Sequence, residues 1–187
     1  MSKEYYTGQL LVASPVLRDP NFARSVVLLL DHDSDGALGV VVNRPTELPV
    51  TSVLESWTGL VCEPDVLFQG GPVATDSALG LAELPAGVGG GPVGWKRLYD
   101  RLGLVDLDAP PELLAGGLEV LRVFAGYAGW APGQLELEIK DGGWYVVDAE
   151  HGDAFTADPA GLWRRVLRRQ RDELALVATF PDDPTMN

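Results

Sequence analysis

The chain predicts a single domain of the α+β class, and three observations carry that expectation. Short β-branched runs, such as residues 25–30 (S-V-V-L-L-L) and 37–43 (A-L-G-V-V-V-N), are the pattern of buried strands. One segment after Asp158 carries its apolar residues at helical spacing. The length of 187 residues suits one core, and neither an internal repeat nor a linker divides it.

Taken in order, residues 8–13 (G-Q-L-L-V-A) read as a first strand closed by Ser14-Pro15. Residues 25–30 and 37–43 form a hairpin across the polar turn 31–36 (D-H-D-S-D-G). Arg44-Pro45 stops its second strand, because proline has no N–H for a ladder. Ser52 with Glu55 three residues on is a capping-box pattern, so a short helix follows with Val53, Leu54 and Trp57 on its buried side. Residues 66–68 are a strand running into Gln69-Gly70-Gly71-Pro72. Residues 86–94 are a glycine-rich loop; no G-K-[ST] follows it and no clear strand-to-helix context surrounds it, which argues against a phosphate loop. Residues 118–124 are a further strand. Residues 134–140 fit two readings. Leu135, Leu137 and Ile139 alternate with acids as in a strand, whereas Leu135/Ile139 and Glu136/Lys140 are helical i,i+4 pairs before Gly142, and periodicity alone does not decide. Residues 144–147 are a strand. In the last helix Asp158 is the cap, Pro159 fits the first turn, and Leu162, Trp163, Val166, Leu167 and Gln170 make one face.

Composition narrows the function classes. There are 27 acidic against 14 basic residues, a net charge of −13, which opposes nonspecific attraction to nucleic acid or anionic lipid. Cys62 is the sole cysteine, so neither an intrachain disulfide nor a cysteine-based zinc site forms. The N-terminal M-S-K-E-Y-Y-T lacks the apolar core of a signal peptide, and no run approaches the roughly 20 apolar residues of a membrane helix. A cytoplasmic protein without a cofactor is the expectation.

Residues 124–136 (F-A-G-Y-A-G-W-A-P-G-Q-L-E) are the most distinctive tract. Repeated glycine beside Tyr127 and Trp130 marks a backbone path that other residues do not follow readily, a corner between a core strand and what comes next. Alongside it stand G-Q-L-L-V-A-S-P, Asp19-Pro20-Asn21-Phe22, Ser25-Val26-Val27, His32, G-A-L-G-V-V-V-N-R-P and Gly70-Gly71-Pro72-Val73. In this order and spacing, from about Gly8 into the last helix, the set resembles the AlgH/YqgE family of bacterial proteins. The resemblance implies an α+β fold with a mixed, bifurcated, barrel-like sheet and a few flanking helices. It also implies that residues after Gly133 are helical, although Leu137 departs from a commonly polar position. The family is often labelled a transcriptional regulator and has no established biochemical activity, so the resemblance supplies a fold and a label without a mechanism.

Four constellations bear on chemistry. Asp31, Asp33, Asp35 and Gly36 match the opening of a calcium loop, but its twelfth position is Val42, which excludes an EF-hand and leaves an acidic turn or, as the alternative, a weaker surface ion site. Ser25 and His32 would supply a hydrolase pair, yet no G-x-S-x-G elbow accompanies them, and His32 and His151 read as turn or surface residues. Arg164, Arg165, Arg168, Arg169 and Arg171 would neutralise phosphates, but arginines also complement a helix C-terminus, and no helix-turn-helix precedes them. Finally, Asn43, Arg44, Gly70, Gly71, Tyr127, Trp130 and Gln134 are the candidate lining of one pocket, with Trp130 as a stacking surface. The leading expectation is a non-enzymatic binding or regulatory protein acting through a small ligand or protein partner; a small hydrolase comes second and a direct DNA binder third.

Overall fold

The computed structural model describes residues 4–181; residues 1–3, part of the N-terminal stretch read above, and residues 182–187 lie outside the described residues. In chain order the strands are β1 (Leu10–Ala13), β2 (Val26–Asp33), β3 (Gly36–Val41), β4 (Pro45–Pro49), β5 (Val66–Gln69), β6 (Val73–Glu83), β7 (Trp95–Tyr99), β8 (Leu102–Val105), β9 (Val120–Trp130) and β10 (Trp144–Val147). The helices are α1 (Gln134–Lys140), α2 (Leu162–Arg168) and α3 (Leu174–Val177). The strands make one curled half-barrel in the order β10-β1-β2-β3-β9-β6-β8-β7, antiparallel along this path, with β4 and β5 branching from it.

The branch is what makes the sheet bifurcate. β9 is long enough to serve three partners: β3 at residues 128–130, β6 from Val120 to Tyr127, and the parallel β5 at Phe124 and Ala125. Gly70 sits at the fork. Its N–H donates to the Ala125 carbonyl at 2.8 Å, and its carbonyl accepts from Val41 N–H at 2.8 Å. A Cβ on Gly70 would lie 2.3 Å from the Gly126 carbonyl oxygen, and one on Gly126, whose φ is +74°, would lie 2.5 Å from that of Gly71. Three backbones converge where no side chain fits, which is the physical reason for the paired glycines.

β1 and the first part of β2 are buried on both faces. Alternate residues therefore feed different cores. Leu10, Val12, Val26 and Leu28 pack with Leu162, Trp163, Val166 and Leu167 of α2. Leu11, Ala13, Val27 and Leu29 pack on the opposite face with Trp130, Leu135 and Trp144. This two-sided burial explains the unbroken apolar run, as opposed to an alternating one. A third cluster holds Val50, Trp57, Leu114, Leu121 and Val123.

Several expectations change. The hairpin turn is tighter than the polar run implied: β2 continues through Asp33 and the turn is Ser34-Asp35, with a bulge between Leu29 and Asp31. β3 already ends at Val41, and Pro45 opens β4, whose edge position tolerates proline. The capping-box helix is absent. Residues 50–57 form two short 3-10 turns with no side-chain cap, and Val53 is exposed. The glycine–aromatic tract is itself strand as far as Trp130, so the corner falls at Ala131-Pro132-Gly133. Residues 134–140 are helical, as the family resemblance implied. Asp158 makes no side-chain cap; instead it accepts from Arg165 at 2.7 Å.

The β7–β8 hairpin brings the far end of the half-barrel back toward its start. Its two-residue turn, Asp100-Arg101, follows Tyr99, whose ring lies against Gly8 just before β1; a Cβ on Gly8 would stand 3.4 Å from that ring. The segment after β10, residues 149–154, walls the gap beside this contact.

Candidate functional site

The corner after β9 builds the most distinctive side-chain arrangement. Pro132-Gly133, with Gly133 at φ +77°, turns the chain into α1. Gln134 and Glu138 are four residues apart on this helix and share a face. Gln134 Oε1 accepts from Ala131 N–H at 3.0 Å, and its Nε2 donates to Glu138 Oε2 at 2.9 Å. Glu138 Oε1 accepts two indole N–H groups, from Trp130 at 3.2 Å and Trp144 at 3.0 Å. One carboxylate thus ties α1 to β9 and β10 through three donors, and no cation pairs with it among the described residues. A carboxylate has about four acceptor positions, so capacity remains.

Phe22 completes the aromatic floor. Its ring stacks on Trp130 at 6.1 Å and meets Trp144 edge-on at 5.5 Å, within the range of favourable aromatic pairs. A groove of about 330 Å³ opens over this floor, walled by Leu17, Asp19, Glu138 and Asp141, with no Lys, Arg or His in its lining. Its chemistry is an aromatic edge of Phe22 and Trp130 beside three carboxylates. That suits a positively charged group on an apolar stem, by cation–π and charge-assisted hydrogen bonding.

Of the seven pocket residues expected from the sequence, Trp130 and Gln134 line this groove. Asn43 and Arg44 stand behind the loop that carries Phe22. Asn43 Oδ1 accepts from Val26 N–H at 2.9 Å and its Nδ2 donates to the Arg24 carbonyl at 3.0 Å. Arg44 donates to the carbonyls of Pro20 at 3.0 Å and Ala23 at 2.7 Å, and burial lowers its pKa. Gly70 and Gly71 belong to the fork, and Tyr127 packs against the α2-side core. The seven therefore do not converge on one pocket. Four of them shape the backbone around it, because their polar groups are consumed by main-chain partners or their missing side chains are what the fork requires, and Tyr127 is core packing.

Asp19, Phe22, Glu138 and Asp141 line the groove without having been singled out as candidates from the sequence, and buried Trp144 supports it as a partner of Glu138. The available signal was the Gln134–Glu138 spacing directly after Trp130; the contribution of Trp144 from another strand left no local trace.

Ser25 and His32 are not brought together. They lie seven residues apart on one extended segment, about 20 Å. The Ser25 hydroxyl is buried with no partner among the described residues. His32 is buried, not at a surface turn: Nδ1 accepts from Tyr6 N–H at 3.0 Å, Nε2 meets Glu136, and the Tyr5 and Tyr6 rings flank it. Asp33 Oδ1 accepts from Asp35 N–H at 2.8 Å, and no trio of His, Cys, Asp or Glu is grouped to hold a metal among the described residues. In the arginine-rich helix, Arg169 grips Asp153 with two bonds of 2.8 and 2.7 Å, Arg165 holds Asp158 and Thr156, and Arg164 donates to the Phe180 carbonyl at 2.9 Å. Arg168 and Arg171 are exposed.

The fold and corner define a class: a curled, bifurcated half-barrel whose glycine-shaped fork and tryptophan–glutamate corner position one acidic, aromatic groove. Comparison with known proteins places the chain within a family. The family model described as AlgH-like matches residues 10–175, and the chain belongs to that family. It is 63% identical over 183 residues to a UPF0301 protein of Streptomyces avermitilis, covering 97% of this chain and 95% of the relative. A UPF0301 protein of Thermobifida fusca is 55% identical over 196 residues, covering 100% and 98%. Among solved structures, the crystal structure of protein DIP2367 from Corynebacterium diphtheriae superposes with a TM-score of 0.87 at 36% identity, covering 96% and 95%. The solution structure of AlgH from Pseudomonas aeruginosa, a UPF0301 protein, gives 0.70 at 29%, covering 96% of each chain. Among the described residues, no helix is long and apolar enough to cross a membrane.

Proposed function

We propose that this protein is a non-enzymatic binding protein of the cytoplasm, and that the groove at the Trp130–Glu138 corner captures a cationic amine or guanidine group. The observation that carries the reading is the groove itself: aromatic floor, three carboxylates, and no basic residue in the wall. The same head group is presented by a small organic cation or by an arginine or lysine side chain of a partner protein. The free Cys62 accords with a reducing compartment. A hydrolase receives no support from the separation of Ser25 and His32. Direct DNA binding receives little, because three of the five helix arginines are bonded within the fold, Arg165 and Arg169 to Asp158, Glu150 and Asp153 and Arg164 to the Phe180 carbonyl.

Calorimetric titration tests this with agmatine, with a short arginine-containing peptide, and with the isosteric peptide carrying citrulline. Saturable binding of the first two, weakened by salt, and loss of binding with citrulline is the expected result. Preference for the peptide over agmatine indicates a protein partner, and the reverse a small molecule. Equal binding of the arginine and citrulline peptides rules the reading out.

A further inference from the structure

Beside the groove at Trp130 stands an apolar side chain that a lone cation would leave in water. Leu137 of α1 is 62% exposed. It follows Gln134 by three residues and precedes Asp141 by four, and both of those line the groove. The Asp141 N–H donates to the Leu137 carbonyl at 2.9 Å, so helical spacing holds through this turn. That spacing orders the surface across α1: Glu138, then Gln134 and Asp141, then Leu137, with Lys140 beyond it on the side away from the groove. In the loop after β1, Leu17 lines the groove and its neighbour Val16 is 72% exposed.

Single exposed leucines are ordinary on protein surfaces. Leu137 differs by its place, one helical turn and about 6 Å from Asp141, beside a groove that holds three carboxylates and no Lys, Arg or His in its lining. The groove is also open at the surface: Asp19 and Asp141, two of its three acids, are exposed residues. Small-molecule sites enclose most of their ligand. An open groove with apolar surface next to it suits a chain that passes over both.

We propose that this surface docks an extended segment of a partner protein, with an arginine in the groove and an apolar side chain two residues away against Leu137. This docking rests on the cation reading of the groove and adds the partner to it. Charge complementarity selects the arginine, whose planar fork offers donors to more than one of the carboxylates. On an extended chain, residues two apart share a face and lie about 7 Å from each other, close to the separation of Asp141 and Leu137. Arginine is also enriched at interfaces, where a few anchors carry most of the binding. Nucleic acid and anionic membranes are disfavoured by the same carboxylates.

Calorimetry with three probes tests it on the full chain and on Leu137→Ser, a change at an exposed position. The probes are agmatine, a blocked seven-residue peptide with leucine two positions after its arginine, and the same peptide with serine for that leucine. The leucine peptide should bind about tenfold more tightly than the serine peptide. Leu137→Ser should bring the leucine peptide to within about twofold of the serine peptide and change agmatine by less than about twofold. Agmatine binding with equal affinities for the two peptides, or a leucine peptide indifferent to Leu137→Ser, overturns the docking surface alone and leaves a site for a free amine. No binding of any probe removes the cation reading and the docking surface with it. Sedimentation showing a dimer of the free chain that Leu137→Ser dissolves assigns the surface to a second copy and overturns the proposal equally.

Discussion

Arg122 and Glu138 are both lone charges that tie separate pieces of chain together, and among the described residues neither has an opposite charge for a partner. Arg122 is fully buried on β9. It donates to the carbonyls of Ala154 at 3.1 Å, Thr156 at 2.9 Å and Glu63 at 2.6 Å, and its guanidinium lies 4.2 Å over the Phe68 ring. Burial lowers its pKa. Glu138 does the complementary thing with donors in place of acceptors, but on the wall of an open groove. The difference in exposure separates their roles. A sealed charge whose two terminal nitrogens are taken by main-chain carbonyls, with its Nε buried and unpartnered among the described residues, has no room for a ligand and acts as a clamp. A half-exposed carboxylate held by two indoles is a clamp with one side left accessible.

The indole bonds make the same point. Trp57, Trp95 and Trp163 each donate to a backbone carbonyl, at 3.2, 3.1 and 2.8 Å, whereas Trp130 and Trp144 share one carboxylate. Three tryptophans are tied to the main chain, and two to a carboxylate on the groove wall.

The largest effect should come from the sealed side. Arg122→Met leaves three carbonyls without their donor and should cost about 3–5 kcal/mol in urea unfolding. Arg122→Lys should recover little of that, because an ammonium cannot match a planar fork aimed at three segments. A loss below about 1 kcal/mol would remove Arg122 as the clamp. Glu138→Gln comes next. It keeps an oxygen for the indoles but sets an amide against Gln134, so about 1–3 kcal/mol of stability and about tenfold in agmatine affinity should go together. Stability lost with affinity intact would make Glu138 a fold residue like Arg122.

Cys62 sharpens the contrast on the sealed side. Burial raises its thiol above the ordinary range, beside Arg122. Near pH 8 it should react with an aromatic disulfide reagent at least about tenfold more slowly than in the urea-unfolded chain. Comparable rates would mean that the Arg122 region opens freely. Asp141→Asn, on the exposed rim, should leave stability within about 0.5 kcal/mol, lower agmatine affinity about threefold and flatten its salt dependence.

How much of this was legible in the sequence follows from where each interaction lies along the chain. β2, β3, β5 and β10 were readable because their runs are apolar and continuous, and α2 because its face repeats at helical spacing. β6 was not: V-A-T-D-S-A opens it with six exposed residues, and pairing with β9 rather than local pattern makes it a strand. β7 and β8 are too short, at five and four residues, to show a period. Trp130 and Gln134, singled out because glycine and proline around them mark a special path, lie on the groove wall. Glu138 was hidden, since its partners Trp130 and Trp144 come from two strands and a helix must first form to aim it. Gly70 and Gly71 were read for a ligand and serve a fork, because sequence alone does not show whether a glycine makes room for a molecule or for another stretch of backbone.

The central claim is that the Trp130–Glu138 corner is open to a cation while the Arg122 clamp is sealed. The indole region of a nitrogen–proton correlation spectrum tests it directly during agmatine titration. Trp130 and Trp144 should shift together to saturation, with Trp57, Trp95 and Trp163 unmoved. No shift at Trp130 and Trp144, or equal shifts at all five, would contradict the account.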